Sequence, residues 1–186
     1  MMVQLERRLW TVEEYHEIAE AGILREDDRL ELVQGEVITM SPVGVKHIAC
    51  VNRLNELLTI HFRGRTVVSV QNPVRLDDLS EPQPDIVLLD YRDDFYASRA
   101  AMAEDVLLVI EVSDSTLAYD RQIKRPLYAK SGIPEYWLVN LIDNTIEVYR
   151  KPEAGNYRER FVIDKEGSIS AINFPDVTFL VGDLIK

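Results

Sequence analysis

Apolar and polar positions alternate along this chain in blocks of two kinds. Short unbroken apolar runs, Ile86-Val87-Leu88-Leu89, Val106-Leu107-Leu108-Val109-Ile110 and Tyr136-Trp137-Leu138-Val139, are each bounded by polar breakers. Runs of that length read as strands of a sheet covered on both faces. Elsewhere the apolar residues recur at helical spacing. Ile48, Val51, Leu54, Leu58 and Phe62 mark one face of a long amphipathic helix from Val45 to Phe62, after the breakers Pro42 and Gly44. Thr11-Val12-Glu13-Glu14 has the form of a capping box, which predicts a helix of about ten residues ending near Gly22.

The rest of the pattern is read in the same way. Arg29 to Met40 predicts two short strands joined in a tight turn at Gln34-Gly35. Thr66–Val70 and Pro73–Leu76 alternate as strands, and a polar loop over Asp77–Gln83 leads into the run that begins at Ile86. Tyr91–Glu104 is a mixed polar stretch, a surface loop with a short helix. A helix is predicted from about Tyr119 to Ser131, with Gly132 as its stop. Thr145–Tyr149 and Tyr157–Val162 form a hairpin around Pro152–Asn156, and Val177–Leu180 closes the chain as a strand. There is no internal repeat, low-complexity tract or linker, so the expectation is one mixed α/β domain over residues 1–186.

Composition narrows the function classes. The 186 residues are 46% hydrophobic, enough for a substantial core. A single cysteine, Cys50, leaves no disulfide framework or cysteine-based zinc cluster, and His16, His47 and His61 are too scattered for a helical histidine doublet. No apolar run is long enough for a membrane span, and Met1 to Arg8 holds no signal-peptide core, so a soluble cytoplasmic protein is expected. The net charge of −11 speaks against a protein that grips nucleic acid over a broad basic surface. Two local clusters run against it: Arg53, His61, Arg63 and Arg65, and then Lys124, Arg125 and Lys130. Both also read as ordinary solvated faces.

The chemistry concentrates between Pro84 and Lys124. Asp85 follows Pro84 at a strand entry, where a lone aspartate commonly caps a turn. Glu111 follows five apolar residues, so it is expected to be partly buried and to need a cation, a donor or a raised pKa. Lys124 lies four residues after Asp120; alone it reads as that residue's i, i+4 partner. Glu31 sits between Leu30 and Leu32, where alternation turns it outward, and His47 reads as a partly exposed histidine early in the long helix. Two acids and a lysine on neighbouring elements point to a divalent-metal site with a cationic helper.

In order and spacing these pieces resemble the PD-(D/E)XK nuclease superfamily, and within it the Uma2 (DUF820) group of restriction-type endonucleases. The resemblance rests on Arg29-Leu30-Glu31-Leu32-Val33-Gln34-Gly35-Glu36-Val37, on His47, on Pro84-Asp85-Ile86, and on Glu111-Val112-Ser113 with Ser115-Thr116. It continues through Asp120-Arg121-x-x-Lys124, Tyr128 and Gly132-Ile133-Pro134-Glu135-Tyr136-Trp137-Leu138-Val139. In the parent superfamily the lysine lies two residues after the acid. Here that place is Ser113, and the resemblance moves the lysine to the following helix as Lys124.

The resemblance implies a restriction-endonuclease-like core, a central mixed β-sheet flanked by helices, and Mg²⁺-dependent hydrolysis of DNA phosphodiester bonds. Asp85, Glu111 and the backbone carbonyl of Val112 would be the metal ligands, leaving places for water and a phosphate oxygen. Lys124 would orient the attacking water or neutralise developing charge, Glu31 would add a further carboxylate, and His47 would line the pocket. Oxygen ligands without sulfur favour Mg²⁺, or Mn²⁺ as a substitute, over zinc. Two other readings remain open: a module that keeps the fold without the chemistry, which the charge and Ser113 favour, and a metal-dependent hydrolase of smaller phosphate esters. Cutting both strands of DNA implies a homodimer or higher homo-oligomer, with the Thr145–Val162 hairpin and the C-terminal strand as the expected contact surface.

Overall fold

The computed structural model describes residues 7–25 and 27–185. Residues 1–6, most of the stretch expected to lack a signal-peptide core, lie outside them. In chain order the elements are α1 (Val12–Glu20), β1 (Leu30–Val33), β2 (Glu36–Thr39), α2 (Val45–Phe62), β3 (Thr66–Val70), β4 (Ile86–Asp90) and β5 (Val106–Ser113). A composite helix follows: α3 (Leu117–Tyr119), a π-helical turn over Asp120–Lys124, and α4 (Arg125–Lys130). The chain ends with β6 (Glu135–Asn140), β7 (Thr145–Glu153), β8 (Asn156–Asp164), β9 (Ser168–Ile169), β10 (Phe179–Leu180) and α5 (Val181–Leu184).

Strands β3 to β8 form one six-stranded sheet in the order β3-β4-β5-β6-β7-β8. Only β5 and β6 run parallel; the other neighbours are antiparallel. A parallel pair needs a crossover, and the composite helix supplies it. Because strand side chains alternate between faces, each apolar run feeds two cores. On one face Ile86, Leu88, Leu108, Ile110, Trp137 and Val139 pack against Leu54, Leu58 and Phe62 of α2, with Leu184 and Ile185 beneath. On the other, Val87, Leu89, Val109, Tyr136 and Leu138 meet Leu127 and Tyr128 of α4. This is the mixed sheet with helices on both faces that the apolar runs predict. Glu111 stands two residues after Val109, so the pleat turns it toward the α4 layer.

Several boundaries differ from the sequence reading. Pro73–Leu76 is not a strand. Its amides turn back instead, Val74 N to Pro82 O at 3.0 Å and Leu76 N to Ser80 O at 2.9 Å, and only an isolated bridge at Arg75 remains. The end of the chain is a two-residue strand, Phe179–Leu180, paired with Ser168–Ile169, and then α5; it does not join the main sheet. The β7–β8 turn is tighter than Pro152–Asn156, because Pro152 pairs with Tyr157 and Glu153 with Asn156, leaving Ala154-Gly155 at the tip. The crossover helix begins at Leu117, before Tyr119. On α2, Ile48 is 44% exposed, and His47 and Cys50 take the buried places near the helix start. No helix among the described residues is long and apolar enough to cross a membrane.

Candidate active site

The site begins where β5 outruns β4. Their pairing at this end stops at Ile86 and Ile110, so residues 111–113 present an unpaired backbone edge. Asp85, one residue before β4, occupies it: its Oδ2 accepts from Val112 N at 2.9 Å. Asp85 N in turn donates to Glu111 Oε2 at 3.3 Å. In an extended strand one residue's N–H and C=O point to the same side, as the paired bonds of an antiparallel ladder require. The Val112 carbonyl therefore lies along the edge that Asp85 occupies.

Asp85 is gripped from two further sides. His47 Nε2 lies 3.0 Å from its Oδ2, and Gln71 Nε2 donates to Oδ1 at 3.1 Å. His47 is buried at 9% exposure, a correction to its reading as a partly exposed surface residue, because α2 covers the end of the sheet here. Gln71 also donates its backbone N–H to Asp85 O at 3.0 Å, and it does so at φ +51°, a left-handed conformation unusual for a side chain of this size. Held strain of this kind is common where a site fixes its groups.

Lys124 enters from the crossover helix. The π-helical turn rotates Asp120 and Lys124 together into the protein, and both are buried. The expected i, i+4 ion pair between them is not what forms. Lys124 Nζ bridges Glu31 Oε2 and Glu111 Oε1, each at 3.0 Å. Asp120 Oδ2 accepts instead from Thr116 Oγ1 at 2.7 Å and from the Ser113 hydroxyl. Glu31 likewise departs from expectation: it is 3% exposed, since residues 31 to 33 of β1 are all buried and alternation carries no information there. It also accepts from Gln83 N at 3.1 Å. Tyr128 OH donates to Glu111 Oε1 at 2.6 Å, closing the collar.

These surroundings drive the two strand-end acids apart. Burial, aided by Asp85 and Asp120, pushes the Glu111 carboxyl up to about 8, against the pull of Lys124 and Tyr128. Burial also raises Asp85, but the bonds from His47, Val112 and Gln71 outweigh it and hold that carboxyl below its ordinary value. Burial lowers Lys124; Glu111 and Glu31 outweigh it and keep the ammonium above its usual range. Acids separated in this way by their environments are suited to different roles.

Asp85, Glu111, Val112, Lys124, Glu31 and His47 all line one cavity of about 590 Å³. Thus every residue singled out for the site converges. Among the described residues no group of three or more His, Cys, Asp or Glu side chains is arranged to hold a metal ion. A cation here would draw on Asp85 and Glu111, with the Val112 carbonyl on the same edge and the remaining places filled from solvent or substrate. That donor set is hard oxygen throughout, which suits Mg²⁺, an ion that keeps several of its waters. Sequence reasoning missed Gln71, Gln83 and Tyr119, whose hydroxyl reaches Glu31 Oε1 at 3.4 Å. Gln71-Asn72-Pro73 carries only a turn signal, and nothing in it names Asp85 as partner.

Comparison with known proteins bears on the fold and the family. A solved structure described as "a putative nuclease belonging to DUF820", from Anabaena variabilis ATCC 29413, is similar to the chain at a TM-score of 0.72. The likeness covers 94% of this chain and 97% of that one at 17% identity, so it is a likeness of fold. No curated protein matches the sequence. The Uma2 family model, described as "Putative restriction endonuclease", matches residues 12–181, from the start of α1 to the start of α5. A match of that extent takes in both helical layers, the whole sheet and every residue of the cavity named above, and the chain belongs to the Uma2 family.

Proposed function

We propose that this cavity hydrolyses phosphodiester bonds in DNA with Mg²⁺ as cofactor. The observation that carries the reading is one buried ammonium, Lys124, bridging Glu31 and Glu111 beside Asp85, with all four lining one cavity where β5 outruns β4. Family membership supports a nuclease, and the hard-oxygen donor set supports Mg²⁺ or Mn²⁺.

Asp85 and Glu111, with the Val112 carbonyl, would hold the ion. When bound it supplies Lewis-acid polarisation of a phosphate and a more acidic water. The chain's own residues supply the rest. Asp85 stays ionised because His47, Gln71 and Val112 N satisfy it. Lys124 offers a fixed positive charge to phosphate oxygens as negative charge grows on them, in a site where little reorganisation is needed. Glu31 and Tyr128 hold the lysine and Glu111 in register. Cutting both strands of a duplex asks for two such sites, which a two-fold homodimer provides.

The test is plasmid cleavage in Mg²⁺ and Mn²⁺, comparing wild type with Asp85→Ala and Glu111→Ala. Each variant should lose at least about a hundredfold in rate while melting as a folded protein. Cleavage retained in both variants removes the proposed site. Activity on nucleotides without activity on DNA moves the reading to a hydrolase of small phosphate esters.

A further inference from the structure

The composite helix presents a second row of charge beside the one that faces the cavity. Arg121 and Arg125 are four residues apart, as Asp120 and Lys124 are, and stand one position further along. They turn toward β7 and β8, where they border a shallow depression of about 420 Å³ with Gln122, Glu147, Tyr149 and Arg160. Three guanidinium groups thus border a depression with one carboxylate. Glu147 is committed to two of them: Arg121 Nε reaches its Oε1 at 2.8 Å and Arg160 Nη2 its Oε2 at 3.1 Å. Burial raises the Glu147 carboxyl, but Arg121, Tyr149 and Arg160 outweigh it and keep it ionised.

Arg125 is the one left over. It is held over the Tyr149 ring, 5.5 Å from its centroid, and its Nε has no hydrogen-bond partner among the described residues. It is positioned by stacking, and no acid among the described residues forms an ion pair with it. Arg121 and Arg160 remain 39% and 52% exposed, so the depression is open to a ligand. In a chain of net charge −11, an excess of positive charge fixed on a rigid floor of Tyr149 and Glu147 is a local reversal of the field. Guanidinium forks match phosphate oxygens better than any other side chain does.

We propose that the depression between Arg121, Arg125 and Arg160 is a phosphate subsite, which takes a backbone phosphate of the nucleic acid whose scissile bond lies at Asp85 and Glu111. The inference rests on the nuclease reading for its occupant, and on the arginine geometry for the site itself. Its place on the helix that also carries Lys124 gives it a use. One phosphate anchored at Arg125 sets the register of the strand relative to the lysine, and so orients without reading sequence.

Two measurements test it. In the first, arginine Nε–H resonances of the whole protein are followed during titration with pyrophosphate. The Arg125 signal, assigned by its loss in Arg125→Gln, should shift; no shift overturns the subsite. In the second, binding of a labelled duplex is followed by anisotropy against salt, with EDTA present to prevent cleavage. Arg125→Gln should weaken binding about tenfold at low salt and flatten the slope of log K against log salt by about 0.9, one phosphate contact. Arg125→Lys should restore most of the slope, and both variants should melt like wild type. An unchanged slope in Arg125→Gln, no duplex binding by wild type, or a change of oligomeric state in the variant each overturns the assignment, the last by making the patch a subunit contact. Asp85→Ala, carried through this binding assay and through plasmid cleavage in Mg²⁺, separates this proposal from the catalytic one. It should lose cleavage and keep the wild-type slope, so either idea can fail while the other stands.

Discussion

Glu111 on β5 and Glu147 on β7 are both buried glutamates of one sheet, at 4% and 1% exposure, yet their electrostatic situations are opposite. Glu147 is enclosed by Arg121, Arg160 and Tyr149, which hold it ionised. Glu135 on β6 is closed in the same manner by Arg150, Trp137 Nε1 and Ile172 N. Glu111 shares one ammonium with Glu31, faces Asp85 across the sheet edge, and opens on a cavity. Burial of an acid is therefore not in itself a mark of chemistry. The informative condition is a shortage of cations beside an open cavity.

The sharpest way to break this contrast is to remove a cation from the closed side. Arg150→Ala strands Glu135 without its guanidinium and should cost about 3–5 kcal/mol, read by urea denaturation. Glu111→Gln, at similar burial, should behave oppositely. The folded-state carboxyl of Glu111 lies above its ordinary value, so its contribution to stability is present below about pH 4.5 and is lost as pH rises through about 8. The variant should therefore match wild type near pH 5 and exceed it above pH 8. Equal destabilisation by both substitutions would erase the distinction.

A smaller effect should come from the metal. A divalent cation that binds only the folded state stabilises by about 2.7 kcal/mol at a hundred times its Kd. The shift in melting temperature should be larger near pH 8 than near pH 6, since a proton competes for Glu111, and absent in Asp85→Ala. A metal shift that survives in Asp85→Ala would place the ion elsewhere. Smallest is Tyr128→Phe, which removes the hydroxyl donor to Glu111 and should cost about 1 kcal/mol. That hydroxyl favours the ionised acid, so its loss should move the pH dependence of the metal shift upward.

The sheet was readable because its central strands are unbroken apolar runs, a pattern that demands cover on both faces. Asp85 and Glu111 were readable because each bounds or interrupts an apolar run, whereas Lys124, alone only a partner for Asp120, was singled out by the family resemblance. Glu31 was misread as outward. The alternation rule assumes one wet face, and β1 has every residue from Glu31 to Val33 buried. His47 was misread for a related reason: the helix start looks polar, and only the tertiary approach of α2 to Asp85 buries it. The arginine partners of Glu135 and Glu147 were invisible, since they arrive from strands and helices far along the chain. Pro73–Leu76 looked like a strand locally, but the amides of Val74 and Leu76 turn onto Pro82 and Ser80, and that of Arg75 reaches Ala101 O.

The π-helical turn divides the site between two layers. Glu111 belongs to the sheet and Asp85 to its edge, tied to β5 through Val112 N and through its own N–H to Glu111. The ammonium belongs to a helix that touches the sheet only through side chains. A lysine at position 113 would be locked by the pleat to the same face as Glu111, two residues away, with no independent freedom. Carried on a separate element, the positive charge has its position set by the helix rather than by the pleat. Changes in the helix can retune its position while every strand keeps its register.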